Sequence, residues 1–158
     1  MLSHLDKNQQ PRMVDVSGKT PTLRTAVARA EMVLPDPVWK ALHDGEIRSA
    51  KGPVFQTAII AGVSAAKKTS DLIPFCHPIG LDDCSIRIEA SAPHRVVIEA
   101  ETRVVHKTGV EMEALTAVTV AALTIYDMCK ALSHDIRIER VELLAKSGGR
   151  HDIEKRSA

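Results

Sequence analysis

The sequence predicts an α+β fold, an antiparallel sheet packed against helices in the split βαβ arrangement of ferredoxin-like sandwiches. Three observations lead there. With a first short strand and a short helix set aside, the periodicities run strand, helix, strand, strand, helix, strand. The apolar stretch "ALTAVTVAALTIY" is about half of what spans a bilayer and is interrupted by threonines, so it reads as a buried helix. The 158 residues, 44% of them apolar, suffice for one real core and fall short of two ordinary domains.

Each element has its own signal. "MVDVS" (13–17) and "TLRTAVARAEMVL" (22–34) alternate apolar and polar residues as strands do, joined by the turn-like "GKTP". "DPVWKALHDGE" predicts a short helix with Asp36 as N-cap, Pro37 at the first helical position and Gly45 as a stop. "GPVFQTAIIAGVSAAKK" (52–68) sets Val54, Ala58, Ala61 and Ala65 on one helical stripe and closes on two lysines that suit the negative end of the dipole. "CSIRIEAS" (84–91) and "RVVIEAETRVV" (95–105) flank "APH" as a β-hairpin. The longest helix is predicted over 108–132 and a last strand over 136–147. One domain is expected to fill 1–158, with flexible tails over about 1–12 and 148–158.

Lys plus Arg number 21 against 20 Asp plus Glu, so no bulk field draws nucleic acid or a membrane surface, and neither is expected as a partner. Three cysteines at irregular spacing, Cys76, Cys84 and Cys129, make no disulfide framework. The opening "MLSHLDKNQQPR" lacks the apolar core of a signal peptide, so a reducing, cytoplasmic compartment is expected.

Several positions could carry chemistry. Thr108 stands three residues before Glu111, the spacing of a capping box, and Glu113 in the same turn suits the helix dipole. Asp127 and Lys130 share a helix face, either as a surface ion pair or as an aspartate tuning a lysine for proton transfer. Lys51, Lys107 and Lys146 each adjoin a glycine-containing turn, where backbone N–H groups and an ammonium suit phosphate, although such turns are also common loop endings. Arg24 lies in a strand among apolar neighbours, a further cation for a ligand or a hairpin-edge charge.

"PFCHP" places Cys76 and His77 between Pro74 and Pro78. Zinc would need more ligands than Cys76, His77 and Cys84 supply, with no CxxC pair and no second His motif, so no metal site is expected. Adjacent residues on an extended segment point apart, which disfavours a Cys–His nucleophile pair. Two readings stay open: a rigid ligand wall with His77 as donor, or a structural loop packed over the core.

"MVDVS", "AAKKTSDLIPFCHPI", "KTGVEMEALTAVTVAALTIYDMCKAL" and "LLAKSGG" together resemble the cyclic pyranopterin monophosphate synthase family, from about Met13 to Gly149. The resemblance implies an early step of molybdenum cofactor biosynthesis. A cyclised dihydro-GTP nucleotide, supplied by a radical S-adenosylmethionine GTP cyclase, is rearranged to cyclic pyranopterin monophosphate with release of pyrophosphate. It implies Asp127, Lys130 and Lys51 as catalytic residues. Phe75, Cys76, His77, Met112 and Glu113 would contact substrate, with Arg24, Glu111 and Lys146 lining the pocket. It implies no cofactor, and a homohexamer of three dimers.

The residue types fit that chemistry. Ring opening and pterin closure need several proton transfers, which carboxylates and lysines of lowered pKa perform near neutrality. A cluster of Lys51, Lys130 and Lys146 is expected to depress each lysine's pKa by like-charge repulsion. Closing the cyclic phosphate while pyrophosphate leaves needs positive groups against growing negative charge. Glu113 and Asp127 are fourteen residues apart on one predicted helix, about 21 Å along its axis. If both serve one site, as the resemblance implies, a natural solution is two chains related by a two-fold. A non-catalytic nucleotide-binding module would explain the basic loop ends but leave Asp127 and Lys130 idle.

Overall fold

A computed structural model describes residue 8 and residues 10–155. In chain order the elements are β1 (Thr22–Val33), α1 (Asp36–Trp39), β2 (Leu42–His43), β3 (Glu46–Ser49), β4 (Gly52–Pro53), α2 (Val54–Ala66), α3 (Thr69–Leu72), β5 (Asp83–Ala92), β6 (Arg95–His106), α4 (Glu111–Cys129), β7 (Arg137–Ser147) and β8 (Ile153–Glu154). The main sheet runs β5-β6-β1-β7-β8 with every neighbouring pair antiparallel. Four of its strands with α2 and α4 make the split βαβ topology of the ferredoxin-like class, as the periodicities predict. β2, β3 and β4 form a separate small sheet.

Period two in β1 decides which face is covered. Ala26, Ala28, Ala30 and Met32 are fully buried, and the alternate positions are half-buried. From β6, Val96, Ile98 and Ala100 join the same layer. α4 lies over it, with Ala114, Ala117, Val118, Ala121, Ala122 and Ile125 fully buried. Alanines on both surfaces let helix and sheet approach closely, while Val118 and Ile125 each contribute about 1.5–3 kcal/mol of apolar burial. α4 has the length and composition to cross a membrane, but it carries eight buried side chains of this core. On the opposite sheet face Arg29 pairs with Glu99 at 2.6 Å, and Arg87 reaches the other oxygen of Glu99 at 2.8 Å, matching the cross-strand register.

The differences from the sequence reading have local causes. Residues 13–17 form no strand: Val14 and Val16 are half-buried and Asp15 and Ser17 exposed, but among the described residues no neighbouring strand pairs with them. The alternation reports a segment lying on a surface. The first helix is a single turn, Asp36–Trp39, with Pro35 rather than Asp36 at the N-cap. Gly45, at φ 76°, makes the tight turn between β2 and β3. Gly52 and Pro53 pair with β3, so α2 starts at Val54, where the Glu46 carboxylate accepts the free N–H groups of Phe55 and Gln56 at 2.8 and 3.1 Å. α4 starts at Glu111 with Val110 at its N-cap and no side-chain cap, so the Thr108–Glu111 capping box does not form. Buried Thr102 instead donates to the Val110 carbonyl at 3.1 Å. Beyond β7, Ile153 and Glu154 pair with Lys146 and Ala145, in a stretch expected to be a flexible tail.

Candidate active site

A cleft of about 760 Å³ opens where five segments converge: the arm at Val14–Lys19, the start of β1, the Phe75–Ile79 loop, the turn into α4, and the β7–β8 connection. It gathers Arg24, Phe75, Cys76, His77, Glu111, Met112, Glu113 and Lys146, all eight residues expected to bind substrate. The three expected catalytic residues, Lys51, Asp127 and Lys130, are not among its lining; they meet at the far end of α4.

Glycines make the cleft possible. Gly148 has φ 82°, and a Cβ there would collide with the Leu23 carbonyl; at Gly149 it would lie 2.9 Å from Arg24 Nη1. "SGG" thus lets the chain leaving β7 cross tightly over the start of β1. At Gly109 a Cβ would run into the Glu111 carboxylate, so "TGVE" allows that carboxylate to fold back. There it meets Lys146, Nζ to Oε1 2.9 Å, with both side chains about seven-tenths buried. Arg24 donates to the carbonyls of His106 and Lys107 at 3.3 and 3.4 Å, which ties β1 to the turn before α4.

Glu113 is the least exposed acid in this group, at 3%. Burial pushes its pKa up to about 7; the Glu111 charge adds to the rise, and a bond from its own backbone N–H opposes it. A carboxyl poised there can give or take a proton near neutrality. Cys76 is pushed up by burial and then by Glu113, which keeps its thiol protonated and excludes a resting thiolate nucleophile. His77 Nε2 lies 2.7 Å from the Val14 carbonyl, an atom that only accepts, so Nε2 carries a proton and donates. Phe75 and Met112 supply partly exposed apolar wall. Among the described residues, no three His, Cys, Asp or Glu side chains gather in a way that could hold a metal ion.

At the other end of α4, one carboxylate holds two ammonium groups. Asp127 Oδ2 lies 2.8 Å from Lys51 Nζ and Oδ1 lies 2.8 Å from Lys130 Nζ. Lys51 arrives on the β3–β4 turn, where its backbone N–H donates to Ser49 Oγ at 3.1 Å and Gly52 takes φ 115°. The hydrogen bonds from Lys130 and Lys51, reinforced by their charges, pull the Asp127 pKa down to about 2. Hydrogen bonding and charge from Asp127 push Lys130 up. This corrects the expectation of three lysines depressing one another: within one chain Lys146 is paired with Glu111 in the cleft, and Lys130 answers to its carboxylate.

The cleft also recruits Asp15, Lys19, Arg150 and His151, none of which the sequence reading singled out, and Lys107, which it offered only as one of three lysines beside a glycine-containing turn. Lys107 had a signal, its place before "TGVE", but nothing local to 107 shows which partner its ammonium meets. Lys19, Arg150 and His151 have none, because Lys19 reaches the cleft from the arm before β1 and the other two from the connection between β7 and β8.

The sequence profile of the MoaC family matches residues 13–149. The chain is 51% identical over 152 residues to the cyclic pyranopterin monophosphate synthase of Xanthomonas campestris pv. campestris (strain B100), covering 96% of this chain and 92% of that protein. It is 51% identical over 157 residues to cyclic pyranopterin monophosphate synthase 1 of Mycobacterium tuberculosis (strain ATCC 25618 / H37Rv), covering 99% and 91%. It is 50% identical over 152 residues to the enzyme of that name from Xanthomonas oryzae pv. oryzae (strain MAFF 311018), covering 96% and 92%. With a profile match from the arm at Met13 through the cleft turn at Gly149, the chain belongs to the MoaC family.

Proposed function

We propose that this chain is a cyclic pyranopterin monophosphate synthase, a lyase that converts the cyclised dihydro-GTP intermediate to cyclic pyranopterin monophosphate and releases pyrophosphate in molybdenum cofactor biosynthesis. The observation that carries the geometric side of this reading is the Lys51–Asp127–Lys130 cluster, in which one ionised carboxylate holds two protonated amines. Such a cluster supplies protons to nitrogen and oxygen atoms during ring opening and meets the negative charge that grows as pyrophosphate leaves. A binding module without catalysis would leave it idle as a surface ion pair.

The substrate sits in the cleft, with Arg24 and Lys146 as cations for its phosphates, Phe75 and Met112 against the fused rings, and Glu113 and His77 at its polar edges. Lys51, Asp127 and Lys130 complete that site from a second chain related by a two-fold, and three such dimers make a hexamer. The enzyme works in the cytoplasm beside the radical S-adenosylmethionine cyclase that supplies its substrate, and needs no cofactor of its own. Incubation with the cyclised dihydro-GTP intermediate, followed by measurement of pyrophosphate and of the pterin product, tests the reading. Stoichiometric release is expected; tight binding of the intermediate without release would identify a binding module instead.

A further inference from the structure

Lys51 reaches Asp127 from a short mount. β3 and β4 form a hairpin in which Arg48 faces Pro53 and Ser49 faces Gly52, leaving Ala50 and Lys51 as its turn. The tip is tied internally. Ser49 Oγ accepts the Lys51 N–H at 3.1 Å and donates to the Gly52 carbonyl at 3.2 Å, and Gly52 takes φ 115° to close the turn. So short a hairpin does not hold its own direction. β2 supports it only at Glu46 and Ile47, below the tip.

The base is held by one carboxylate. α2 follows β4 directly and has Pro53 at its N-cap, which supplies no side-chain acceptor for the free N–H groups of the first turn. Glu46, at the start of β3, reaches across to fill that place. Its Oε1 accepts the N–H groups of Ile47 and Phe55, each at 2.8 Å, and its Oε2 accepts the N–H of Gln56 at 3.1 Å. A carboxylate at the positive end of a helix makes these bonds charge-assisted. One side chain thus joins the strand entering the hairpin to the helix leaving it. Its charge also reaches the end of α4: burial and then Glu46 push the Cys129 thiol up to about 11, and Cys129 immediately precedes Lys130. Core packing does not duplicate the clamp. Ile47, Val54 and Phe55 are buried and hold the two segments down, but none of residues 48–53 between them is buried.

We infer that Glu46 is a positioning residue for Lys51: its carboxylate clamps the base of the β3–β4 hairpin to the first turn of α2 and so fixes where the Lys51 ammonium stands relative to Asp127. This rests on the reading of Lys51, Asp127 and Lys130 as a proton-transfer cluster. It adds that the geometry of the cluster is set by an acid outside it, which is also outside the lining of the cleft.

Two full-length variants test this against the wild type: Glu46→Leu, which removes every acceptor, and Glu46→Gln, which keeps one carbonyl oxygen. Thermal melts show which are folded, and Glu46→Gln carries the test if Glu46→Leu does not fold. With the cyclised dihydro-GTP intermediate, kcat is expected to fall about ten- to a hundredfold in Glu46→Leu and less in Glu46→Gln. KM should stay within about twofold of wild type, because the cleft is untouched. Competitive acetylation read by mass spectrometry should show Lys51 growing more reactive in the same order, toward its rate in Asp127→Asn, with exposed Lys40 as internal reference. Amide hydrogen exchange should quicken over residues 48–56 and not in the rest of α2. Wild-type kcat in a folded Glu46 variant, a rise in KM alone, or a fall in kcat with Lys51 acetylation unchanged each overturns the positioning role. Acetylation and exchange need no turnover. A wild type that releases no pyrophosphate would therefore lose the proposed reaction, and those two readouts would still decide whether Glu46 mounts Lys51.

Discussion

Lys146 on β7 and Glu111 in the first turn of α4 form an ion pair, Nζ to Oε1 2.9 Å, along one wall of the cleft. The pair holds an ammonium where a phosphate oxygen can replace or join the carboxylate. Because both side chains keep some contact with water, the pair contributes about 1 kcal/mol or less to folding. Lys146→Ala is therefore expected to leave the Tm within a few degrees of wild type and to lower kcat/KM about ten- to a hundredfold, chiefly through KM. Steady-state kinetics and a thermal melt check both halves. A large loss of Tm with normal KM would make the pair structural.

Lys51 and Lys130 share the Asp127 carboxylate and are both largely exposed. Replacing either by Ala should abolish turnover without unfolding the protein. Lys130→Arg should fail as well, since guanidinium keeps the charge but does not readily release a proton. With Asp127 pulled down to about 2, its carboxylate is ionised throughout the working range. In the wild type Asp127 should then contribute no acid limb to the kcat/KM profile above pH 4. Turnover by Lys130→Arg at the wild-type rate would remove Lys130 from proton transfer.

Glu113 ties pH to stability in the less usual direction. Its folded pKa, about 7, lies above the ordinary glutamate value of 4.5, so the folded state holds a proton that the unfolded chain gives up. Between about pH 4.5 and 7 the native state binds more protons than the unfolded state, and stability falls as pH rises, levelling off above pH 7. A shift of this size corresponds to a loss on the order of 3 kcal/mol. Denaturant melts across that window should show the decline in the wild type and its absence in Glu113→Gln, which keeps the shape without the charge. Equal slopes in the two proteins would place the proton elsewhere.

At Gly62, α2 packs directly against the backbone of α4. A Cβ added there would stand 2.5 Å from Ile86 Cδ1 and 2.8 Å from the Ala117 carbonyl oxygen. Ile86 can turn away, but the helix backbone cannot. Gly62→Ala is expected to destabilise by about 1–3 kcal/mol through overpacking, although alanine is intrinsically the better helix former by about 1 kcal/mol. A denaturant midpoint equal to or above that of the wild type would show that the helices separate freely.

Gly62 also shows what the sequence could and could not reveal. The stripe of Val54, Ala58, Ala61 and Ala65 told which face of α2 is buried, because period 3.6 is local information, although Ala61 at its edge is only half-buried. That the face meets a backbone carbonyl of α4 depends on two segments far apart in sequence. The hairpin Asp83–Ala92 and Arg95–His106 was legible for the same local reason, and residues 13–17 misled because alternation records a surface and says nothing about a partner strand. At the site, residue types were legible where a motif was dense, as in "PFCHP" and "KTGVEMEAL", while pairings were not. Thr108 and Glu111 have the spacing of a cap, yet Glu111 reaches 35 positions along the chain to Lys146. Long-range pairing outcompetes a local cap when the partner carries a full opposite charge.

The last expectation concerns two clusters on one helix. Glu113 lies in the cleft at the first turn of α4, and Asp127 holds Lys51 and Lys130 in its final turn. Fourteen residues of helix separate them by about 21 Å, farther than a single nucleotide's reacting atoms can span. A two-fold that sets the start of one α4 near the end of its mate brings the two clusters together, and each dimer then has two shared sites. Glu113→Ala and Asp127→Ala should each be inactive alone. Mixed under conditions of subunit exchange, they should recover activity, because one site of each mixed dimer regains both wild-type residues while the other loses both. Random pairing makes half of the dimers mixed, so about a quarter of wild-type activity is the ceiling. Exchange verified by mass spectrometry with no return of activity would exclude the shared site, and the two ends of α4 would then need separate roles.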